Sequence, residues 1–267
     1  MPGLSEVSPS QLIRLLGTPD APLLVDVRLP EDVAADPFVL PSARSCAHDE
    51  VAALSSWIGA RSAVLVCQRG RKLSHGAAAL LRSLGHRAEV LEGGTLAWAE
   101  AGLPRVAIAV APTSGSLWVT RARPKIDRLA CPWLIRRWLD PHARFLFVPA
   151  PEVLAVADRF GAQAFDIPGA PLEHDGDLCT FDTMIRRFGL STEPLERLAT
   201  VVRAADTDSH HLAPQAAGLL AVSVGLSRMF RDDLAQLESG MLLYDALYRW
   251  ARDGFDEGHG WPAGRPA

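Results

Sequence analysis

The sequence predicts an α/β unit built on a parallel sheet with helices on both faces, followed by a second, mainly helical α+β unit. Three observations support this division. Over residues 1–106, short apolar runs of strand length at 23–27 (LLVDV), 62–67 (SAVLVC) and 86–91 (HRAEVL) alternate with helical stretches. Strands apolar on both faces and separated by helices belong to a covered parallel sheet. Residues 104–115 (PRVAIAVAPTSG) lack helical period and end in turn formers, which places a linker at 107–116. Beyond it the texture changes: 117–120, 144–148 and 164–167 look like strands, and helices dominate the rest of 117–253. The chain of 267 residues is comfortable for two domains.

The first helix is announced by Ser8-Pro9-Ser10-Gln11, an N-cap serine with proline at the first helical position and glutamine at N3. It runs to Leu16 and stops at Gly17. Further helices are expected at 51–58, at 74–84 before Gly85, and at 95–101 before Gly102. In the second unit Trp133, Leu134 and Trp138 share a face broad enough for a core, so packing accounts for them better than ligand contact. The longest helix is expected at 232–252, and 254–267, rich in Gly and Pro, as a flexible tail.

A net charge of -4 gives no pull toward nucleic acid or an anionic membrane. The first residues lack the basic-then-apolar pattern of a signal peptide. The longest apolar run, 216–226, is too short for a membrane span and contains Ser223 and two glycines. A cytoplasmic protein without membrane partners is expected. Four cysteines with no C-x-x-C pair exclude a disulfide scaffold and a zinc ribbon. They read as separate thiols in a reducing compartment.

Cys67 ends an apolar strand, and Gln68-Arg69-Gly70-Arg71-Lys72 leads from it into a helix. Chemistry in open α/β sheets collects at the C-terminal ends of strands. Loop amides ahead of a helix N-terminus form an anion nest, and Arg69, Arg71 and Lys72 add positive charge. All favour a thiolate, hence a nucleophilic Cys67 able to carry a persulfide. The plainer reading is a structural cysteine ending a strand; three cations and a glycine in five residues weigh against it.

These surroundings resemble the rhodanese family. Asp26 and Arg28 in Val25-Asp26-Val27-Arg28 look like its D-x-R, and residues 91–104 (LEGGTLAWAEAGLP) resemble its L-x-G-G-x-x-x-W-x-x-x-G-x-P signature. Cys67 to Lys72 matches the six-residue active loop in length, with Lys72 where arginine is frequent and Leu73 where Ser or Thr is. The resemblance implies a rhodanese-like fold, Cys67 as catalytic residue, and substrate contacts from Gln68, Arg69, Gly70, Arg71, Lys72, Asp26 and Arg28. It implies a small-molecule sulfur donor, a thiol acceptor and no cofactor for sulfur transfer. Rhodanese-like phosphatases need a longer loop closed by arginine, C-x-x-x-x-x-R. Leu73 stands at that position and argues against them.

In the second unit Arg121, Arg123, Lys125 and Arg128 fall within eight residues. They suit an oxyanion, or else a solvated edge. Residues 173–182 (EHDGDLCTFD) and 206–211 (DTDSHH) collect donors for a transition metal, at no diagnostic spacing. Caps and solvated loops are the alternative. Glu173, His174 and Asp206 are the expected metal donors, with Cys131 or Cys179 as softer ones. Arg121, Arg123, Lys125, Asp127 and Cys131 are expected to line a polar site around the same pocket. The motifs R-x-R-P-K-I-D-R-x-A-C-P-W-L-I-R-R at 121–137, H-x-G-x-x-C-T-F-D at 174–182, A-D-T at 205–207 and G-M-x-L-Y-D-A-L-Y at 240–248 resemble the ChrB family. That family is associated with bacterial chromate-resistance operons, and the resemblance implies chromate or a similar oxyanion as partner. The combined expectation is a sulfurtransferase linked to chromate resistance. A non-catalytic chromate or metal sensor, and an enzyme centred on a metal in the second domain, stay open as alternatives.

Overall fold

A computed structural model describes residues 5–258. The first domain holds β1 (Glu6–Val7), α1 (Pro9–Leu15), β2 (Leu23–Asp26), α2 (Pro30–Ala35), β3 (Phe38–Val39), β4 (Arg44–Ser45), α3 (Ser55–Ile58), β5 (Ala63–Val66), α4 (Lys72–Ser83), β6 (Ala88–Leu91), α5 (Gly94–Glu100) and β7 (Val106–Ala107). Five strands form a parallel sheet in the order β1-β6-β5-β2-β4, which puts β5 at the centre. Alternation along the strands feeds two cores. Leu23, Val25, Leu65 and Cys67 join Ile58, Ala77 and Leu81 from α3 and α4 on one face. Leu24, Val64 and Val66 meet Leu12 from α1 and Trp98 from α5 on the other.

The capping box at Ser8 and Gln11 forms as the residue types dictate, with the Gln11 amide donating to Ser8 Oγ at 3.2 Å. The expected helix over 51–58 is split into a 3-10 turn at Val51–Leu54 and the short α3. Part of the expected linker is strand: Val106–Ala107 pairs antiparallel with Phe38–Val39 and binds the chain back onto the first domain.

The second domain adds β8 (Leu117–Arg121), α6 (Asp127–Leu134), β9 (Arg144–Val148), α7 (Val153–Phe160), β10 (Gln163–Ala164), α8 (Thr180–Arg187), α9 (Glu193–Asp206), α10 (Ala216–Met229) and α11 (Asp233–Asp253). Its sheet is parallel, ordered β10-β8-β9. α7 covers one face through Val153, against Val119 and Ala164. The remaining helices bury the other face with Trp118, Trp133, Trp138 and Tyr244, all fully enclosed. Trp133 and Trp138 are packing residues, as the sequence predicts. Pro132 sits inside α6, which passes into a π-helical turn at Ile135–Leu139; a proline deprives one carbonyl of its helical partner and loosens the ladder there.

The two domains share one buried cluster, in which Leu12, Leu16 and Trp98 are continuous with Trp118 and Trp138. Contact is close at Gly17, where a Cβ would come within 2.7 Å of the Trp138 indole nitrogen. The expected tail begins packed: the Phe255 ring lies 5.3 Å from Trp250 and carries the Arg197 guanidinium at 4.1 Å. Residues 259–267 of it fall outside the described residues.

Candidate functional site

Cys67 follows the last residue of the central strand β5, and the N-terminus of α4 lies just beyond its loop. Its side chain is almost enclosed, at 4% exposure. The Arg71 amide donates to Sγ at 3.3 Å, and Ser74 Oγ lies 3.1 Å away. Burial pushes the thiol up, but the Ser74 hydroxyl and the amides of Arg71, Ser74 and Arg69 outweigh it and bring it below the ordinary thiol value. Such a thiol is ionised more readily than free cysteine and is the more available as a nucleophile.

The loop is held from below by α5. The Thr95 amide donates to the Cys67 carbonyl at 3.0 Å and the Leu96 amide to that of Gln68 at 3.1 Å. Gly70 and Gly94 make this approach possible. A Cβ on Gly70 would stand 2.5 Å from the Leu91 carbonyl, and one on Gly94 would overlap the Cys67 carbonyl. The loop and the Gly93-Gly94 turn, distant in sequence, are therefore one unit.

Two expectations about this site are corrected. Arg69, Arg71 and Lys72 are exposed, and the thiol is lowered by amides and a hydroxyl rather than by these cations. Asp26 and Arg28 are committed to the scaffold. Arg28 grips Asp26 with Nε at 2.9 Å and Nη2 at 2.7 Å, and also donates to the carbonyls of Asp36 and Phe38. They tie β2 to the segment carrying β3, and the fully enclosed Arg28 side chain presents no surface to a substrate. Ser74 is the residue that sequence reasoning missed. Its signal was a hydroxyl in the first turn of the helix after the nucleophile.

The second cluster lies in the second domain. Asp127 at the start of α6, Asp206 at the end of α9 and His174 in the loop before α8 bring donor atoms within 4.8 Å of one another. His174 Nε2 stands 3.2 Å from Asp206, 3.5 Å from Asp166 and 3.7 Å from Asp127. Asp166 is fixed by Arg121 at 3.1 Å, Arg128 at 3.2 Å and the Thr180 hydroxyl at 3.2 Å. Asp127 is enclosed and accepts the first amides of α8, Thr180 at 2.7 Å and Phe181 at 3.0 Å. Burial and the neighbouring Asp166 and Asp206 push its carboxyl up. Burial, then Asp166, also raises Asp206, while His174 and Arg128 oppose that shift.

The basic segment divides. Arg121 and Arg128 reach this cluster; Arg123 does not. Its backbone amide donates to Asp233 and its guanidinium to the carbonyls of Ser227 and Phe230, so it ties α10 to α11. Lys125 is exposed. Glu173 is no member either, since its carboxylate accepts the Gly169 amide at 2.9 Å within its own turn. Asp166 takes a place the sequence did not assign; it stands at positive φ (53°) just after β10. Cys131 and Cys179 are enclosed and raised, by burial first and by Asp127 next, and their thiols donate to Asp127 and Asp182. Neither thiol is poised as a metal ligand.

Comparison with known proteins places both halves. Residues 8–101 match the rhodanese-like domain and residues 118–251 the ChrB C-terminal domain. Over 135 residues the chain is 36% identical to Protein ChrB of Cupriavidus metallidurans, a match covering 50% of this chain and 40% of that protein. The chain thus spans less than half the length of this curated relative. Among solved structures, a rhodanese-related protein of Thermoplasma volcanium aligns at 22% identity and a TM-score of 0.33, covering 38% of this chain and 96% of that one. A thiosulfate sulfurtransferase of Pseudomonas aeruginosa aligns at 27% identity and a TM-score of 0.34, covering 39% of this chain and 19% of that one. The chain belongs to the family defined by the ChrB C-terminal domain, carrying a rhodanese-like domain in front of it.

Proposed function

We propose that the protein is a cytoplasmic sulfurtransferase that carries a sulfane sulfur on Cys67, in a pathway of chromate resistance to which its second domain belongs. One observation carries this reading: an enclosed thiol lowered by three amides and a hydroxyl, at the C-terminal end of the central strand. The Cys67 thiolate attacks the outer sulfur of thiosulfate, the S–S bond breaks, and sulfite leaves with the bonding pair. The nest that stabilised the thiolate then holds the Cys67 persulfide anion. An acceptor thiolate attacks its terminal sulfur, taking it as a new persulfide and returning Cys67 as thiolate. Exposed Arg69, Arg71 and Lys72 draw the dianionic donor toward the loop.

The chromate link rests on the second domain, whose motifs are those of the ChrB family. Chromate and thiosulfate share shape and charge, which gives the fusion a chemical sense. Among the described residues no helix is long and apolar enough to cross a membrane.

The test is sulfur transfer from thiosulfate to cyanide, with intact-protein mass measured after exposure to thiosulfate. Wild type and Cys46→Ser gain one sulfur atom and turn over. Cys67→Ser does neither while keeping its fold. Transfer undiminished in Cys67→Ser would end this reading.

A further inference from the structure

The second cluster has a geometry that hydrogen bonding alone does not explain. Nε2 of His174 carries at most one proton and can donate to one oxygen. Carboxylate oxygens from Asp206, Asp166 and Asp127 ring it at 3.2, 3.5 and 3.7 Å. A charged hydrogen bond would draw one of them to about 2.7–2.9 Å. Donor atoms around one metal ion are spaced differently: bonds of about 2.1 Å give separations of roughly 3.0–3.5 Å in octahedral and tetrahedral shells. The separations of His174 from Asp206 and Asp166 are of that second kind, and Asp127 stands slightly wider.

We infer that Asp127, His174 and Asp206 bind one divalent transition-metal ion, with Asp166 at its rim. One imidazole and two carboxylates suit a borderline ion of the Mn(II), Fe(II) or Zn(II) class. Thiophilic ions are disfavoured, since the two nearby thiols already donate hydrogen bonds to Asp127 and Asp182. Asp127 and Asp206, and Asp166 at the rim, are fixed by other contacts. Asp127 is anchored on the first amides of α8. Arg121, Arg128 and Thr180 hold Asp166. Asp206 ends the well-buried helix α9.

The exposure gradient sets the direction of access. Asp127 is 1% exposed, Asp206 21% and His174 42%, so the ion enters over the imidazole. Three protein ligands leave positions open on that side for water or a small anionic ligand.

The experiment uses the full chain, stripped with chelator and titrated with Mn(II) and with Zn(II) by calorimetry, while thermal melts follow the fold. Wild type is expected to bind one equivalent and to melt several degrees higher with metal, since an ion that binds only the folded chain stabilises it. His174→Ala and Asp206→Asn, both at partly exposed positions, should melt like stripped wild type but bind at least tenfold more weakly. Glu173→Gln should bind as wild type does. Cys67→Ser should also bind fully, which separates this site from the sulfur-transfer reading. Absence of saturable binding in wild type, or equal binding by folded His174→Ala and Asp206→Asn, overturns the site.

Discussion

Ser74 Oγ lies 3.1 Å from Cys67 Sγ and 3.1 Å from the Arg71 carbonyl oxygen. The hydroxyl has a single proton and cannot serve both at once. With a neutral thiol, Ser74 donates to the carbonyl and can accept from Cys67. With a thiolate, the hydroxyl turns to the sulfur and joins the Arg71 amide. Ionisation of Cys67 is thus coupled to one rotation about the Ser74 side chain.

Ser74→Ala should therefore slow alkylation of Cys67 by iodoacetamide about tenfold near neutral pH, as one hydrogen bond to the anion is worth roughly 1–1.5 kcal/mol net. The rate should rise with pH in both proteins. Its midpoint in wild type lies below that of an ordinary thiol and moves up in the variant, because Ser74 is a leading cause of the lowering. The sign also holds for stability. A thiol lowered in the folded state contributes stability that is present above the unfolded thiol value and lost as pH falls through the folded one. An unchanged alkylation profile in Ser74→Ala would remove the serine from the mechanism.

Arg71→Ala and Lys72→Ala should leave that alkylation profile nearly in place. Their side chains are exposed and are not among the causes that lower the thiol. Attraction of a dianionic donor is a longer-range effect, and salt screens it. Each variant should raise KM for thiosulfate a few-fold at low ionic strength and show a shallower salt dependence than wild type. A matching loss of kcat would instead place these side chains on the reacting sulfur.

Gly94→Ala should be among the most damaging single changes in the first domain. It adds one methyl, but at positive φ and into the Cys67 carbonyl. Either the active loop lifts from α5 or the Gly93-Gly94 turn opens. A loss of several kcal/mol in urea unfolding is expected, in line with overpacking against fixed backbone. Gly76→Ala in α4 meets nothing within 4 Å and serves as the control, neutral or slightly stabilising.

Arg28→Ala should destabilise the same domain by about 3–5 kcal/mol, because it strands the enclosed Asp26 carboxylate without its partner. The expected signature is a lower urea midpoint with the wild-type thiol profile in the protein that remains folded. Arg28→Lys should restore little, since one ammonium cannot make the paired contacts of a guanidinium.

What the sequence disclosed follows from how local each signal was. The apolar runs at 23–27 and 62–67 and the capping box at Ser8 carry their structure in adjacent residues, and they appear as β2, β5 and α1. Cys67 was legible because a strand, a loop and a helix start are contiguous. Ser74 was obscured because a lone hydroxyl is a weaker residue-type signal than the three formal charges of the loop, although side-chain charge is secondary there to the hydroxyl and the backbone amides. The role of Asp26 and Arg28 was hidden because it depends on carbonyls eight to ten residues away. The second cluster needs the register of four separate elements. His174 and Asp206 stood out by type, whereas Glu173, adjacent to His174, turns back to Gly169. Asp166 lies alone in an apolar stretch and gave no signal until the fold brought Arg121 and Arg128 onto it.

The junction between the domains yields the last prediction. Residues 113 and 114 are exposed, so a protease should cut there before it cuts either sheet. Cleavage is not expected to release two independent pieces. Leu12, Leu16 and Trp98 are buried in one cluster with Trp118 and Trp138, and the Gly17 backbone rests on the Trp138 indole. Arg252 from the end of α11 donates to the Arg14 carbonyl in the first domain, adding a polar tie far in sequence from the linker. Separation would expose these side chains to water, at roughly 25 cal/mol for each Å² of apolar surface uncovered. Nicked protein should therefore elute from a sizing column as one particle of the intact mass and separate only in denaturant. Gly17→Val, which drives a branched side chain at positive φ into Trp138, should weaken that association. If nicked wild type already falls into two folded fragments, the shared core contributes little and the domains are held mainly by the linker.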